Sequence, residues 1–74
     1  MANFIVTLSA SGLVGGRPYV FISNHLRREF GHLADAQKYY TEIVCKHHFK
    51  PSRNYGVFLS IVRAGEVIQR QQIN

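Results

Sequence analysis

The chain has one cysteine, Cys45, and therefore no internal disulfide. A lone thiol fits a reducing compartment, so a cytoplasmic protein is expected. Acidic residues are also few. Glu29, Asp35, Glu42 and Glu66 are the only four, and they are scattered, which suggests neither a carboxylate pair for acid–base chemistry nor a magnesium site. No apolar run approaches the roughly 20 residues that span a bilayer, so no membrane partner is expected. Residues 1–16 are fairly apolar but lack a basic leading region, and Asn3, Thr7, Ser9 and Ser11 interrupt them. A signal peptide is not expected there. Two prolines and six glycines among 74 residues make a globular rather than a disordered composition.

What is present fits one small domain over residues 1–74. A domain this short buries only about 60% of its unfolded surface, so its stability is expected to be limited unless it associates. Phe4-Ile5-Val6-Thr7-Leu8 reads as a strand with Phe4, Val6 and Leu8 on one face. Residues 11–16 carry three glycines and read as a long hairpin loop. Residues 18–23 form a second strand, with Pro18 at its start. Residues 24–31 allow either a short helix from Asn24 to Gly31 or an extended passage in which Phe30 and Leu33 pin the start of the main helix. The extended passage is preferred. The main helix is placed at 36–48. Ala36, Tyr40, Ile43 and His47 form its apolar stripe, and Pro51 blocks continuation. Residues 55–63 and 66–73 are the third and fourth strands, joined by the tight turn Ala64-Gly65. The expected fold is α+β: ββαββ, an antiparallel sheet with one amphipathic helix packed on one face.

One helix covers one face of a sheet. Residues 19–22 and 57–62 are nevertheless apolar on both faces, since Val57, Leu59 and Ile61 oppose Phe58 and Val62, and Val20 and Ile22 oppose Tyr19 and Phe21. A half-solvated sheet alternates instead. The polar fourth strand reads as an edge. Either the Gly12–Gly16 loop folds over the second face or another chain covers it. A homodimer is expected, with Tyr19, Phe21, Phe58 and Val62 as its self-association residues.

Little else points to chemistry. Cys45 falls opposite the apolar stripe, near Lys46 and His48, which could activate it; a small residue at a contact surface is the plainer reading. Cys45 with His48, and His25 with His32, do not make well-spaced zinc pairs. Gly12-Leu13-Val14-Gly15-Gly16 lacks the Gly-Lys-Ser/Thr ending of a phosphate loop, and a strand follows it. No metal or cofactor is expected.

The strongest polar signal is residues 46–55. Lys46, Lys50 and Arg53 are interleaved with His48, Phe49 and Tyr55, and Arg27-Arg28 precede the helix. Nine Lys or Arg against four Asp or Glu give a net charge of +5, which attracts polyanions. Basic side chains contact phosphates and aromatic rings stack on bases. Lys46, His48, Lys50, Arg53, Arg27 and Arg28 are therefore the candidate partner- or nucleic-acid-binding residues. The expected function is a small non-enzymatic binding protein docking on a larger protein or nucleoprotein complex, of the kind found among phage accessory proteins that inhibit defence nucleases. The alternatives are direct DNA or RNA binding through residues 46–53 and, in third place, a small ribonuclease using His47 or His48 as base.

Overall fold

A computed structural model describes residues 3–74. Strands β1 (Phe4–Val14) and β2 (Arg17–Phe30) form a hairpin. Helix α1 (Leu33–Lys46) and strands β3 (Tyr55–Arg63) and β4 (Glu66–Gln72) complete the ββαββ order. The sheet is antiparallel throughout, in the order β2-β1-β3-β4. The α+β architecture expected from the sequence is the one observed.

The core follows from two periodicities meeting. Val6 and Leu8 on β1 and Val57, Leu59 and Ile61 on β3 point to one face at period two. Ala36, Tyr40 and Ile43 on α1 fall on one stripe, and all eight are buried together. Val6, Leu59 and Ile61 are fully buried, and each contributes roughly 1.5–3 kcal/mol through burial. The Tyr40 hydroxyl donates to the carbonyl of Leu59 at 3.1 Å, so a polar tip crosses the core without an unpaired group. Tyr39 fixes the other side of the helix, its hydroxyl donating to the Leu26 carbonyl at 3.0 Å and its ring lying 5.5 Å from that of Phe30.

Several sequence expectations change. The glycine-rich segment is not a long loop. β1 runs on to Val14, and only Gly15 and Gly16, at φ 57° and 80°, make the turn. That loop therefore covers no sheet face. Residues 24–30 are extended, as preferred, and continue β2 rather than forming a short helix; Phe30 and Leu33 are both packed against the core. The strand is interrupted by an irregularity: Val6 pairs with Arg28 but Leu8 pairs with Ser23. Residues 19–22 lie on an outer strand, so β4 is not the only edge of the sheet. The helix spans 33–46 rather than 36–48. His47 is an exposed C-cap in extended conformation, off the apolar stripe.

The two-faced strand 57–62 is resolved within the chain. Register places Phe58, Ser60 and Val62 with Ile5, Thr7 and Ser9 on the face away from the helix, so the neighbouring strand supplies mostly small hydroxyl residues there. The Phe58 ring lies over Gly56, within 2.8 Å of where a Cβ would stand. The Arg70 guanidinium stacks on that ring at 4.0 Å. Phe58 and Val62 are half-buried and Ser60 is buried. Tyr19 and Phe21, opposite Gly12 and Ala10, belong to the helix face. The four residues expected to self-associate thus lie on two different faces.

Candidate nucleic-acid interface

Strands β1 and β2 extend well past the helix. α1 starts beside the Phe4–Arg63 end of the sheet, and residues 47–54 carry the chain from its C-terminus to Tyr55 at the hairpin end. Beyond the helix, the distal half of the β1–β2 hairpin is covered by no helix, and the 47–54 segment touches it. On the helix side, one cross-strand row reads Tyr19–Gly12–Tyr55 and the next Phe21–Ala10–Val57. Small residues on the central strand leave the flanking aromatic rings standing above the sheet. Tyr19 and Tyr55 are each 38% exposed and Phe21 60%. Phe49, from the 47–54 segment, closes the inner side of this surface and lines a shallow apolar pocket of ≈ 230 Å³ with Leu8, Ala10, Phe21 and Val57.

Gly12 is what allows the segment to sit here. A Cβ on it would stand 2.2 Å from the Asn54 carbonyl oxygen and 2.8 Å from the Tyr55 Cα, so only glycine admits this approach. The Leu13 amide donates to the same Asn54 carbonyl at 3.0 Å. A second tie comes from Asn74. Its Oδ1 accepts from the Val57 amide at 2.8 Å, and its Nδ2 donates to the Lys50 and Tyr55 carbonyls at 3.3 Å each. Lys50 and Arg53 are therefore carried on a segment pinned at both margins. Sequence reasoning missed Asn74; an asparagine signals only that it can both donate and accept.

Charge is unevenly placed. Arg17 pairs with Val14 beside the turn, on the face of Tyr19, and Lys46, His48, Lys50 and Arg53 are exposed along the helix exit. Residues 3–28 and 43–65 contain no acidic residue. Glu29, Asp35 and Glu66 lie at the opposite end, and Glu42 one helical turn before Lys46. Arg27 and Arg28 do not join the cluster. They approach the start of the helix, where Arg27 Nη2 pairs with Glu29 Oε1 at 2.9 Å, the one ion pair among the described residues. Arg28 stacks on Tyr39 at 4.9 Å and shares a surface pocket with Asp35 and Glu42. The two basic segments thus lie at opposite ends of the helix; Glu29 and Asp35 accompany the first, and Glu42 lies one turn from Lys46 of the second.

The remaining candidates stay apart. Cys45 is exposed, as its helical position implies. Among the described residues no three His, Cys, Asp or Glu side chains cluster as metal ligands would. No helix among them is long and apolar enough to cross a membrane. Among the described residues one titration is perturbed, and it is structural: burial pushes the Tyr40 hydroxyl above its usual value of 10.0, partly offset by a hydrogen bond with the Gln69 side chain.

No known protein family, curated protein or solved structure matches this chain. Its function has to be read from the hairpin end itself.

Proposed function

We propose that this chain is a non-enzymatic binding protein that takes a single-stranded nucleic acid across the helix-side face of its hairpin end. The observation that carries this reading is the row of exposed rings, Tyr19, Phe21 and Tyr55, standing over Gly12 and Ala10, with Arg17, Lys46, Lys50 and Arg53 on chain segments that contain no acidic residue. Base faces stack on such rings at about 1–3 kcal/mol each, without sequence preference. Arg17, Lys46, Lys50 and Arg53 supply the phosphate contacts, and duplex bases, already stacked, could not use the rings.

A titration of a labelled single-stranded oligonucleotide, followed by anisotropy, tests this. Affinity is expected to fall with log[salt] at a slope of about −0.7 per phosphate neutralised. Lys50→Glu with Arg53→Glu should flatten that slope. Tyr19→Ala with Tyr55→Ala should weaken binding while leaving the slope unchanged. No anisotropy change at low salt, or equal affinity for a duplex of the same length, would sink the reading.

Docking on a larger nucleoprotein complex is the second reading. It is favoured by the outer strand β2, whose apolar residues 19–22 are uncovered. It predicts retention of the chain on a partner after nuclease treatment of a native extract.

A further inference from the structure

Strand β2 is an outer edge with an unusual composition. Pro18-Tyr19-Val20-Phe21-Ile22-Ser23-Asn24 contains no charged residue, and Val20, Phe21 and Ile22 are 73%, 60% and 62% exposed. Edge strands are ordinarily blunted by charge, and a long neutral apolar edge is a template for another strand. The register fixes which of its backbone groups are free.

Gly15 and Gly16 form a two-residue turn with both φ angles positive, so Val14 and Arg17 are a hydrogen-bonded pair. Pairs alternate along an antiparallel ladder. Arg17, Tyr19, Phe21 and Ser23 therefore direct their amide and carbonyl groups at β1. Pro18, Val20 and Ile22 direct theirs outward, and Asn24 follows where the pairing with β1 breaks. The Leu13 amide bonding to Asn54, on the β3 side, agrees with this phase. The proline occupies an outward position, where its missing N–H costs β1 nothing.

We propose that β2 pairs antiparallel with β2 of a second copy of this chain, about a two-fold axis through Phe21, to give a continuous eight-stranded sheet. In this register Val20 lies opposite Ile22 of the second copy and exchanges both hydrogen bonds with it, and the same happens across the axis. Pro18 lies opposite Asn24 of the second copy, at the end of the ladder, so its missing N–H leaves no carbonyl unpaired inside it. Moving the axis to Val20 sets Pro18 against Ile22 and leaves two isoleucine carbonyls without a donor inside the ladder. Moving it to Ile22 trades apolar pairs for Val20 against Asn24. A one-residue slip would oppose outward groups with inward ones. A heterologous strand would have to supply this same pattern, whereas a second copy supplies it by symmetry.

The axis is perpendicular to the sheet, so both helices lie on one side. The two Phe21 rings meet at the centre of the aromatic surface, and a nucleic-acid face would become twice as long. The pairing itself does not depend on nucleic-acid binding. It buries on the order of 1,000 Å² in total, which places it among weak, micromolar associations.

Sedimentation equilibrium on the full chain across a concentration series is the test. The mass should rise from 8.5 kDa toward twice that value through the micromolar range. Ile22→Pro removes an outward N–H and leaves the β1 ladder intact, so this variant should keep its circular dichroism and remain monomeric. In a Cys45→Ser background, Phe21→Cys should form an intermolecular disulfide faster than Val20→Cys or Ile22→Cys, because non-hydrogen-bonded antiparallel positions lie about 4.5 Å apart at Cα. A single-subunit mass at every concentration would leave the edge to a strand of another protein and overturn the proposal. A dimer that survives Ile22→Pro, or fastest cross-linking at residue 20 or 22, would overturn it equally.

Discussion

The two ends of this molecule are built from the same strands and differ in what lies on them. At the Phe4–Arg63 end, α1 covers Val6, Leu8, Leu59 and Ile61, and the pairing is dry. At the hairpin end, β1 and β2 continue past the helix and leave Phe21 in solvent on the helix side, while Val20 and Ile22 are exposed on the opposite face. The cause is geometric. A helix rises about 1.5 Å per residue and a strand about 3.3 Å. α1 and β2 each have 14 residues, so the helix reaches less than half the length of the strand. A single short helix on long strands must leave one end bare, and here the bare end carries the aromatic rings and the uncompensated cations.

This contrast can be broken by substitution. The largest effect is expected at the covered end. Leu59→Ala should cost about 2–5 kcal/mol in denaturant unfolding, through lost burial and the cavity left behind. Next comes the joint between the ends. Gly12→Ala forces the Asn54–Tyr55 backbone away from β1 and should cost roughly 1–3 kcal/mol; because it also displaces the segment bearing Lys50 and Arg53, oligonucleotide affinity should fall with it. Tyr40→Phe should cost about 1 kcal/mol by removing the bond to Leu59. It should also alter the alkaline limb of stability. The Tyr40 hydroxyl titrates higher in the folded chain than in the unfolded one. The unfolded phenol therefore loses its proton first, and the stabilisation is full below about pH 10 and lost as pH rises above it. Unfolding measured between about pH 9 and 11 should fall less steeply for Tyr40→Phe than for the parent chain. The smallest effect is expected at the bare end, where Val20→Thr should change monomer stability by no more than about 0.5 kcal/mol. A cost at residue 20 as large as that at residue 59 would show that the hairpin end is covered in solution.

The covered end was largely legible in the sequence. Ala36, Tyr40 and Ile43 recur at helical spacing, Val57, Leu59 and Ile61 at strand spacing, and Ala64-Gly65 does form a tight turn, with φ 51° and 81°. The bare end was not. Ser11 and Gly12 read as loop by composition, yet they are strand because of what lies beside them: Ser11 pairs with Val20 and Gly56, and Gly12 accommodates Tyr55. That is information about neighbours far along the chain, which local propensity does not contain. The same limit hid the site. Lys46, Lys50 and Arg53 were visible as a basic segment, but the row Tyr19–Gly12–Tyr55 at the end of that segment depends on register. The segregation of Arg27 and Arg28 depends on where the carboxylates fall.

The irregularity in β2 between Arg28 and Ser23 bears on time as well as shape. Ladder cooperativity is interrupted there, between the helix-packed half of the hairpin and its exposed half. The distal half has few buried apolar contacts, so it can open while the rest stays closed. Amide hydrogen exchange should then be two-tiered, with the inward amides of Tyr19 and Phe21 exchanging through local opening and those of Leu59 and Ile61 only through global unfolding.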